Sequence, residues 1–263
     1  SLGFKILDFG ALHGWKILEL DASVPLSTEP NCPACFSSLE TIVTLAGNGG
    51  QQRLRVGCCP ACGYIGYIDR PTREWVRQFY LSIWDSAASK DVAAGVLKFR
   101  EKITARDVEK GKRIANLLER FGVNKSRAVC EIGCGYGGVL NQLYKLGFKN
   151  VLGVENSSHR AEIGRRAYGF EILEGAFEGN SIQSKLASHA PFGLIYSNHV
   201  LEHTYNPAEI IKLAAGLQVN GDFLTLASPN ASGEPSISKL LFFPHLHSFT
   251  KESLRRLLNV NSY

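Results

Sequence analysis

The chain has 263 residues, 44% hydrophobic and 20% charged, with a formal net charge of +5. That length and balance fit a globular protein with a main domain and a small appendage, and neither an internal repeat nor a low-complexity tract is present. No apolar run approaches the ~20 residues a membrane span needs, so the expectation is a soluble cytoplasmic protein without a membrane partner.

In chain order the first signal is Cys32-Pro33-Ala34-Cys35, answered after 23 residues by Cys59-Pro60-Ala61-Cys62-Gly63. Four thiolates on two tight turns are what a closed tetrahedral Zn²⁺ site needs, with no open position for chemistry. Leu39 to Val56 reads as a hairpin around Gly47-Asn48-Gly49-Gly50, so residues 1–70 are expected to hold a zinc ribbon. Cys58 is a spare thiol whose spacing to Cys62 is wrong for a ligand. Two disulfides or four free cysteines are the competing readings. The odd count of 7 cysteines and the lack of a secretory signal weigh against disulfides. The zinc is expected to be structural, because a domain this small cannot bury enough apolar area to hold itself together.

Residues 71–122 read as a helical connector. Trp75, Phe79, Tyr80, Ile83 and Trp84 recur at helical spacing and suit packing between the ribbon and the main domain. From Lys90 to Arg127 eleven Lys/Arg face five Asp/Glu, an excess of six that leaves −1 for the rest of the chain. Ile103, Val108, Ile114, Leu117, Leu118 and Phe121 are the expected inward positions of this helix. The charge suits either a solvated helix face or a basic flank for a phosphorylated or nucleotide-linked substrate. A nucleic-acid partner is disfavoured, since acids dilute the charge and interleaved surface aromatics are absent.

The most informative stretch follows. Val129-Cys130-Glu131-Ile132 is a short buried strand, and Gly133-Cys134-Gly135-Tyr136-Gly137-Gly138 turns it into a helix carrying Val139, Leu140, Leu143 and Leu146 and stopping at Gly147. Residues without Cβ reach positive φ and leave N–H groups open to a ligand. Val151 to Glu155 is a second strand ending in a carboxylate, about 20 residues after the first glycine, where an acid can bond two ribose hydroxyls. An adenosine-containing ligand is implied. Glu131 stands where a dinucleotide site has an apolar residue. A carboxylate there repels a pyrophosphate but suits the ammonium of an amino-acid moiety.

The string from Glu131 to Gly137 resembles the first motif of class I S-adenosylmethionine-dependent methyltransferases. The resemblance continues through Pro191 to His203, where Val200-Leu201-Glu202-His203 matches a recurrent string after the family's fourth strand. Asn206-Pro207 then caps a helix with Ile210, Ile211, Leu213, Ala214 and Leu217 on one face, and Asn220-Gly221-Asp222 turns into the strand Phe223 to Ala227. This β-α-β-α-β succession is that of an α/β fold with a doubly wound, mainly parallel sheet over 123–263. The family fold continues with two further strands, so the core reads as truncated before them. S-adenosylmethionine is the implied cofactor. Its candidate contacts are Glu131, Gly133, Cys134, Gly135, Tyr136, Gly137, Glu155, Asn156, Ala176, Phe177, Asn198 and His199. Two departures matter. Gly193 replaces a frequent acid, and Ala176-Phe177 replaces the acid that often meets the adenine amine, which leaves adenine to backbone and to the Phe177 ring. A helix before the first motif often covers the cofactor in this family, a role open to Tyr80.

The catalytic candidates are His203, oriented by Glu202, and then His199, at the carboxyl edge of the sheet where ligands bind. A hydroxyl or carbon acid as acceptor needs a base, and a histidine near neutral pKa suits that task. The same His199-x-x-Glu202-His203 string has the spacing of metal ligands, and a purely structural cap is the third reading. His245 and His247 are further candidates for this group that read first as loop residues, with His247 placed to reach the pocket from the loop after strand five. A C-x-x-C pair ahead of this core resembles bacterial enzymes of glycan and small-molecule biosynthesis, which points to methyl transfer onto a sugar or nucleotide-linked sugar. The alternatives are an RNA- or protein-directed methyltransferase and a non-catalytic cofactor-binding scaffold.

Overall fold

The computed structural model describes residues 4–8, 16–20, 23–46, 53–84, 105–177, 179–233, 245–261 and 263. The expected turn at Gly47–Gly50, the connector from 85 to 104 with Ile103, and the side chains of Ile83 and Trp84 lie outside the described residues. The strands of the first part are β1 (Phe4–Asp8), β2 (Lys16–Leu20), β3 (Leu26–Thr28), β4 (Glu40–Ala46), β5 (Arg53–Cys58), β6 (Ile65–Tyr67) and β7 (Asp69–Pro71). Helix α1 (Arg73–Phe79) runs into a π-helical turn at Tyr80–Trp84, and α2 covers 105–120. Then come β8 (Ala128–Ile132), α3 (Gly138–Lys145), β9 (Val151–Glu155), α4 (Ser158–Tyr168), β10 (Ile172–Glu174), α5 (Asn180–His189) and β11 (Phe192–Asn198). After β11 follow α6 (Pro207–Gly216), β12 (Phe223–Ala227), β13 (His247–Ser248) and α7 (Lys251–Asn259). No helix among the described residues is long and apolar enough to cross a membrane.

The chain divides into two compact units, each assembled from several stretches. One comprises Ser1–Phe79, His199–Ile211 and Ser228–Tyr263, the other Tyr80–Asn198 and Lys212–Ala227. The second unit is the α/β core. Its five strands are all parallel in the order β10-β9-β8-β11-β12. The order of strand addition therefore reverses between β8 and β11, which makes their carboxyl ends the place where such sheets bind ligands. Val129, Cys130, Leu194 and Ile195 are fully buried, as strands covered on both faces require. Gly193 sits at an irregularity in the β8–β11 register, where a Cβ would lie 2.6 Å from that of Arg127. The absence of a side chain there lets Arg127 cross and hold Asp222 with two bonds of 2.6 and 2.8 Å.

Helix α3 buries Val139, Leu140 and Leu143, and Gly147 follows at φ 107, as the apolar spacing and the stop glycine imply. Ile114 and Leu118 of α2 join the same core with Val129, Phe148 and Leu194. Phe121, expected inward, is instead 58% exposed. Helix α2 has already ended at 120, so the residue leaves the apolar stripe and its ring lies 5.2 Å from that of Phe223. Asn206 caps α6 by accepting from the Ala208 N–H at 3.1 Å.

In the first unit β4 and β5 form the expected antiparallel hairpin, and β6 pairs with β5. A distant segment completes this sheet: β13 pairs antiparallel with β6, giving the order β13-β6-β5-β4. Burial of Tyr64, Phe249 and Leu257 holds the segment in place. Thr250 and Ser253 form a capping box that starts α7, and the Thr250 hydroxyl donates to the Cys62 carbonyl at 2.8 Å. β1 and β2 make a separate antiparallel pair, as do β3 and β7.

Candidate active site

The glycine turn is built by its own backbone. Gly133 and Cys134 both donate to the Val154 carbonyl, at 2.8 and 3.1 Å, which folds the end of β8 over the end of β9. Gly133, Gly135 and Gly137 take φ of 69°, 58° and 79°, the left-handed region that side chains other than glycine rarely adopt. A Cβ on Gly135 would meet nothing within 4 Å, so the turn opens onto free space. Cys134 does not line that space with its thiol. Its sulfur packs where Gly153 lacks a side chain, 2.6 Å from the position a Cβ would take, so its part in the turn is played by backbone.

Glu155 is buried, and both of its oxygens accept backbone N–H groups: Gly135 at 2.8 Å and Ser157 at 2.9 Å. These bonds fix the carboxylate at the mouth of the turn and leave each oxygen a further lone pair. Glu131 is also buried, yet one of its oxygens has no partner. Burial first, and then the neighbouring Asp107 and Glu155 charges, push its carboxyl well above the ordinary range, with Lys110 opposing. Asp107 itself is raised by burial. It packs against Gly138, where a Cβ would collide with its carboxylate, at the start of α3. Nothing in the sequence marks Asp107, which looks like any acid in a first helical turn. The donor set of Glu131, Asp107 and Glu155 suits a ligand with an ammonium group and a ribose diol, and the orphaned Glu131 oxygen is where the cation fits. Tyr136 and Asn156 are half-buried, Ala176 half-buried, and Phe177 only 3% exposed. Asn198 ends β11 within this unit.

His199, the next residue, opens the first unit's site. It takes φ 56°, a strained value for a residue with a side chain and one that clusters at functional positions. Its ring Nδ1 lies 3.1 Å from Oε1 of Glu202, while the Ser228 hydroxyl donates to Oε2 at 3.1 Å. Glu202 is 1% exposed and His199 57%. Burial raises the Glu202 carboxyl, against the pull of its own backbone bond, His199 and Ser228. Glu202 thus has an orienting bond to His199. His203 meets His245, which by sequence is an ordinary loop residue: the two rings stand edge-on, with centroids 4.6 Å apart. One ligand atom from each of Glu202, His203 and His245 lies within 4.8 Å of the others. Burial, then the His199 charge, lowers His245 to about 4.

His247 holds this turn from behind. Its Nε2 lies 2.9 Å from the Thr204 carbonyl, which only accepts, so Nε2 carries the proton. Nδ1 must then accept, and the buried Tyr64 hydroxyl donates to it at 2.5 Å. Burial, with the Arg70 charge, lowers His247 to about 3 and keeps it neutral.

Tyr64 follows directly on the cysteine cluster. Sγ–Sγ separations are 3.6 Å for Cys32–Cys62, 3.4 Å for Cys35–Cys59 and 3.8 Å for Cys35–Cys62. A tetrahedron of sulfurs about 2.3 Å from a zinc ion has edges of about 3.8 Å, so the four residues fit such an ion closely. Both knuckles carry the same turn bonds, Phe36 N–H to Cys32 O at 2.9 Å and Gly63 N–H to Cys59 O at 2.8 Å. Each is followed by a left-handed residue, Phe36 at φ 62° and Gly63 at 71°. Cys58 stays outside the group.

A family model described as a methyltransferase domain matches residues 104–261. No curated protein matches the chain. Among solved structures, a chain of the complex between the Haloferax volcanii Trm112 methyltransferase activator and a candidate methyltransferase shares 14% identity with a TM-score of 0.51, over 68% of this chain and 75% of its own. A candidate methyltransferase from Bacillus halodurans shares 17% over 56% of this chain and 67% of its own, with a TM-score of 0.46. The sugar N-methyltransferase KedS8 from Streptoalloteichus shares 17% over 52% of this chain and 53% of its own, with a TM-score of 0.40. The chain spans 53 to 67% of the length of four of the solved structures it matches, the Bacillus and Streptoalloteichus proteins among them. At such identities the likeness is one of fold.

Proposed function

The chain belongs to the methyltransferase domain family, and from that premise we propose that it moves a methyl group from S-adenosylmethionine to a small hydroxylated acceptor, a sugar or nucleotide-linked sugar. Membership makes it an S-adenosylmethionine-dependent methyltransferase; the acceptor, the residue roles and the zinc are this proposal's own. The observation that carries it is the strained turn after β11, where His199, Glu202, His203 and His245 come together.

When bound, S-adenosylmethionine supplies an electrophilic methyl group on a sulfonium sulfur. Glu155 offers a ribose diol the free lone pairs of a carboxylate already fixed by Gly135 and Ser157. Glu131 meets the ammonium end with its unpaired oxygen, and the cation favours the ionised carboxylate that burial alone disfavours. The backbone of Gly133, Cys134, Gly135, Tyr136 and Gly137 lines the approach, with Asn156, Ala176, Phe177, Asn198 and His199 as the remaining contacts. His203 takes the acceptor proton at a ring nitrogen, while Glu202 is clamped beside the turn by His199 and Ser228. Zn²⁺ held by Cys32, Cys35, Cys59 and Cys62 has a structural part: all four positions are protein thiolates, so none is left for substrate.

The test is calorimetric titration with S-adenosylhomocysteine, NAD in parallel, followed by transfer of labelled methyl to a panel of sugar nucleotides. Binding of the first ligand alone and turnover of at least one acceptor are expected. His203→Gln should keep that binding and lose turnover by about 10²–10⁴-fold. Unchanged turnover in His203→Gln would remove the base; binding of NAD instead would remove the cofactor.

A further inference from the structure

Arg70 is the most buried arginine among the described residues of the first unit and the one least provided for. Its side chain is 9% exposed, against 45% for Arg55 and 48% for Arg73. Arg55 grips Asp69 with bonds of 2.6 and 2.8 Å, and Arg73 grips Glu209 with bonds of 2.8 and 2.7 Å. Arg70 has no such grip on a carboxylate. Its Nε is buried without a hydrogen bond, and the nearest carboxylate oxygen, Oε1 of Glu29, stands 3.8 Å from Nη2, beyond hydrogen-bonding distance. A guanidinium is seldom buried without an anion, because taking it from water costs several kcal/mol that only pairing recovers, on the order of magnitude known for buried ions.

The Tyr205 ring accounts for part of how the charge is tolerated, and the unpaired Nε for where an anion would bind. The guanidinium carbon lies 4.4 Å from the centroid of the Tyr205 ring, and that of Arg73 lies 5.0 Å from the same ring. Stacking of this kind uses the face of the guanidinium. The N–H groups of a guanidinium lie in its plane, in the fork that matches two oxygens of a carboxylate or phosphoryl group. Tyr205 is two residues beyond His203, so the ring that Arg70 approaches directly follows the turn of the proposed base.

We propose that Arg70 is an acceptor-recognition residue, binding an oxyanion of the methyl acceptor through its in-plane N–H fork, with Tyr205 and Arg73 backing the site. The chemistry recognised is a phosphoryl or carboxylate group. The assignment deepens the methyltransferase reading, on which it rests for the identity of the molecule that carries the anion.

The test uses the full chain labelled with ¹³C and ¹⁵N and follows the Arg70 Nε–H resonance, assigned through its own side-chain carbons to the backbone. Inorganic phosphate, pyrophosphate and acetate are titrated separately. A saturable shift with phosphate or pyrophosphate is expected for a phosphorylated acceptor, and with acetate for a carboxylated one. Arg70→Lys keeps the charge but loses the fork, and should weaken that binding by about ten-fold, equivalent to about 1.4 kcal/mol. No saturable shift with any of the three anions overturns the proposal, as does equal affinity in a folded Arg70→Lys. The wild-type titration stands even if the variant fails to fold. S-adenosylhomocysteine binding is measured on the same sample, so an anion response without it would sink the cofactor reading and leave the oxyanion site in place.

Discussion

The glycine cradle and the histidine turn are assembled in opposite ways. In the cradle the deciding bonds span short stretches of chain: Glu155 receives Gly135 from 20 residues away and Ser157 from 2. The histidine turn depends on the chain returning on itself. Tyr64 reaches His247 across 183 residues, and Thr250 reaches the Cys62 carbonyl across 188. A site made from one strand-turn-helix unit is carried by local backbone geometry. A site made from distant strands is carried by whatever holds those strands together, here the cysteine cluster and the sheet that β13 completes.

The sharpest way to break this contrast is metal removal. A structural zinc site contributes about 10 kcal/mol or more of apparent folding energy, so a strong chelator, or Cys59→Ser, should unfold the first unit. Hydrogen exchange read by mass spectrometry should then show protection lost over 24–46, 53–79 and 245–261, while the strands β8 to β11 keep theirs. Equal loss in both units would mean the division is not a thermodynamic one.

Glu155→Ala tests the local side. It removes charge-assisted bonds to a ribose and frees the Gly135 N–H, for about 3 kcal/mol. Calorimetry should report S-adenosylhomocysteine binding weaker by ~10²-fold, with the zinc content unchanged. Tyr64→Phe tests the distant side more gently. It leaves His247 Nδ1 buried without a donor, at about 1–3 kcal/mol. The melting temperature should fall by roughly 2–4 °C for each kcal/mol in a chain of this size, and cofactor binding should not change.

The smallest effect is one of sign with pH. His247 and His245 have folded values of about 3 and about 4, below the ordinary 6.5. The unfolded chain therefore binds their protons first, so their contribution is present above pH 6.5 and is lost as pH falls toward those values. Glu202 in the same unit is raised by burial and offsets part of this. Glu131 in the other unit is raised well above 4.5, so its contribution is full below pH 4.5 and is lost as pH rises through the raised value. Acidification from neutrality should weaken the first unit and strengthen the second. In Glu131→Gln the second unit should be more stable at neutral pH and lose this dependence, which urea titrations followed by exchange protection would detect.

Much of the cradle is legible in the sequence because its residues are informative by type and spacing. Glycines at 133, 135 and 137, a carboxylate two residues before the first of them and another at the end of the next strand specify an open turn flanked by acids. The four cysteines are legible for the same reason, since a repeated C-P-A-C has one geometry. Phe121 falls outside its expected place because a periodic pattern does not show where its helix stops. Asp107, His245, His247, Tyr64 and Arg70 carry no such signal. Each belongs to a type common on any surface or in any core, and its meaning lies in what stands opposite.

The sequence by itself determined the parallel α/β core, the glycine turn with Glu131 and Glu155, and the paired knuckles, because each is a short-range consequence of backbone freedom, strand length or ligand spacing. Only the tertiary structure decided that β13 closes the ribbon sheet, that Tyr64 and His247 brace the Leu201–Thr204 turn, and that Arg70 is buried with its Nε unpaired. Those outcomes depend on which distant surfaces exclude water together, and no local pattern encodes a partner nearly two hundred residues away.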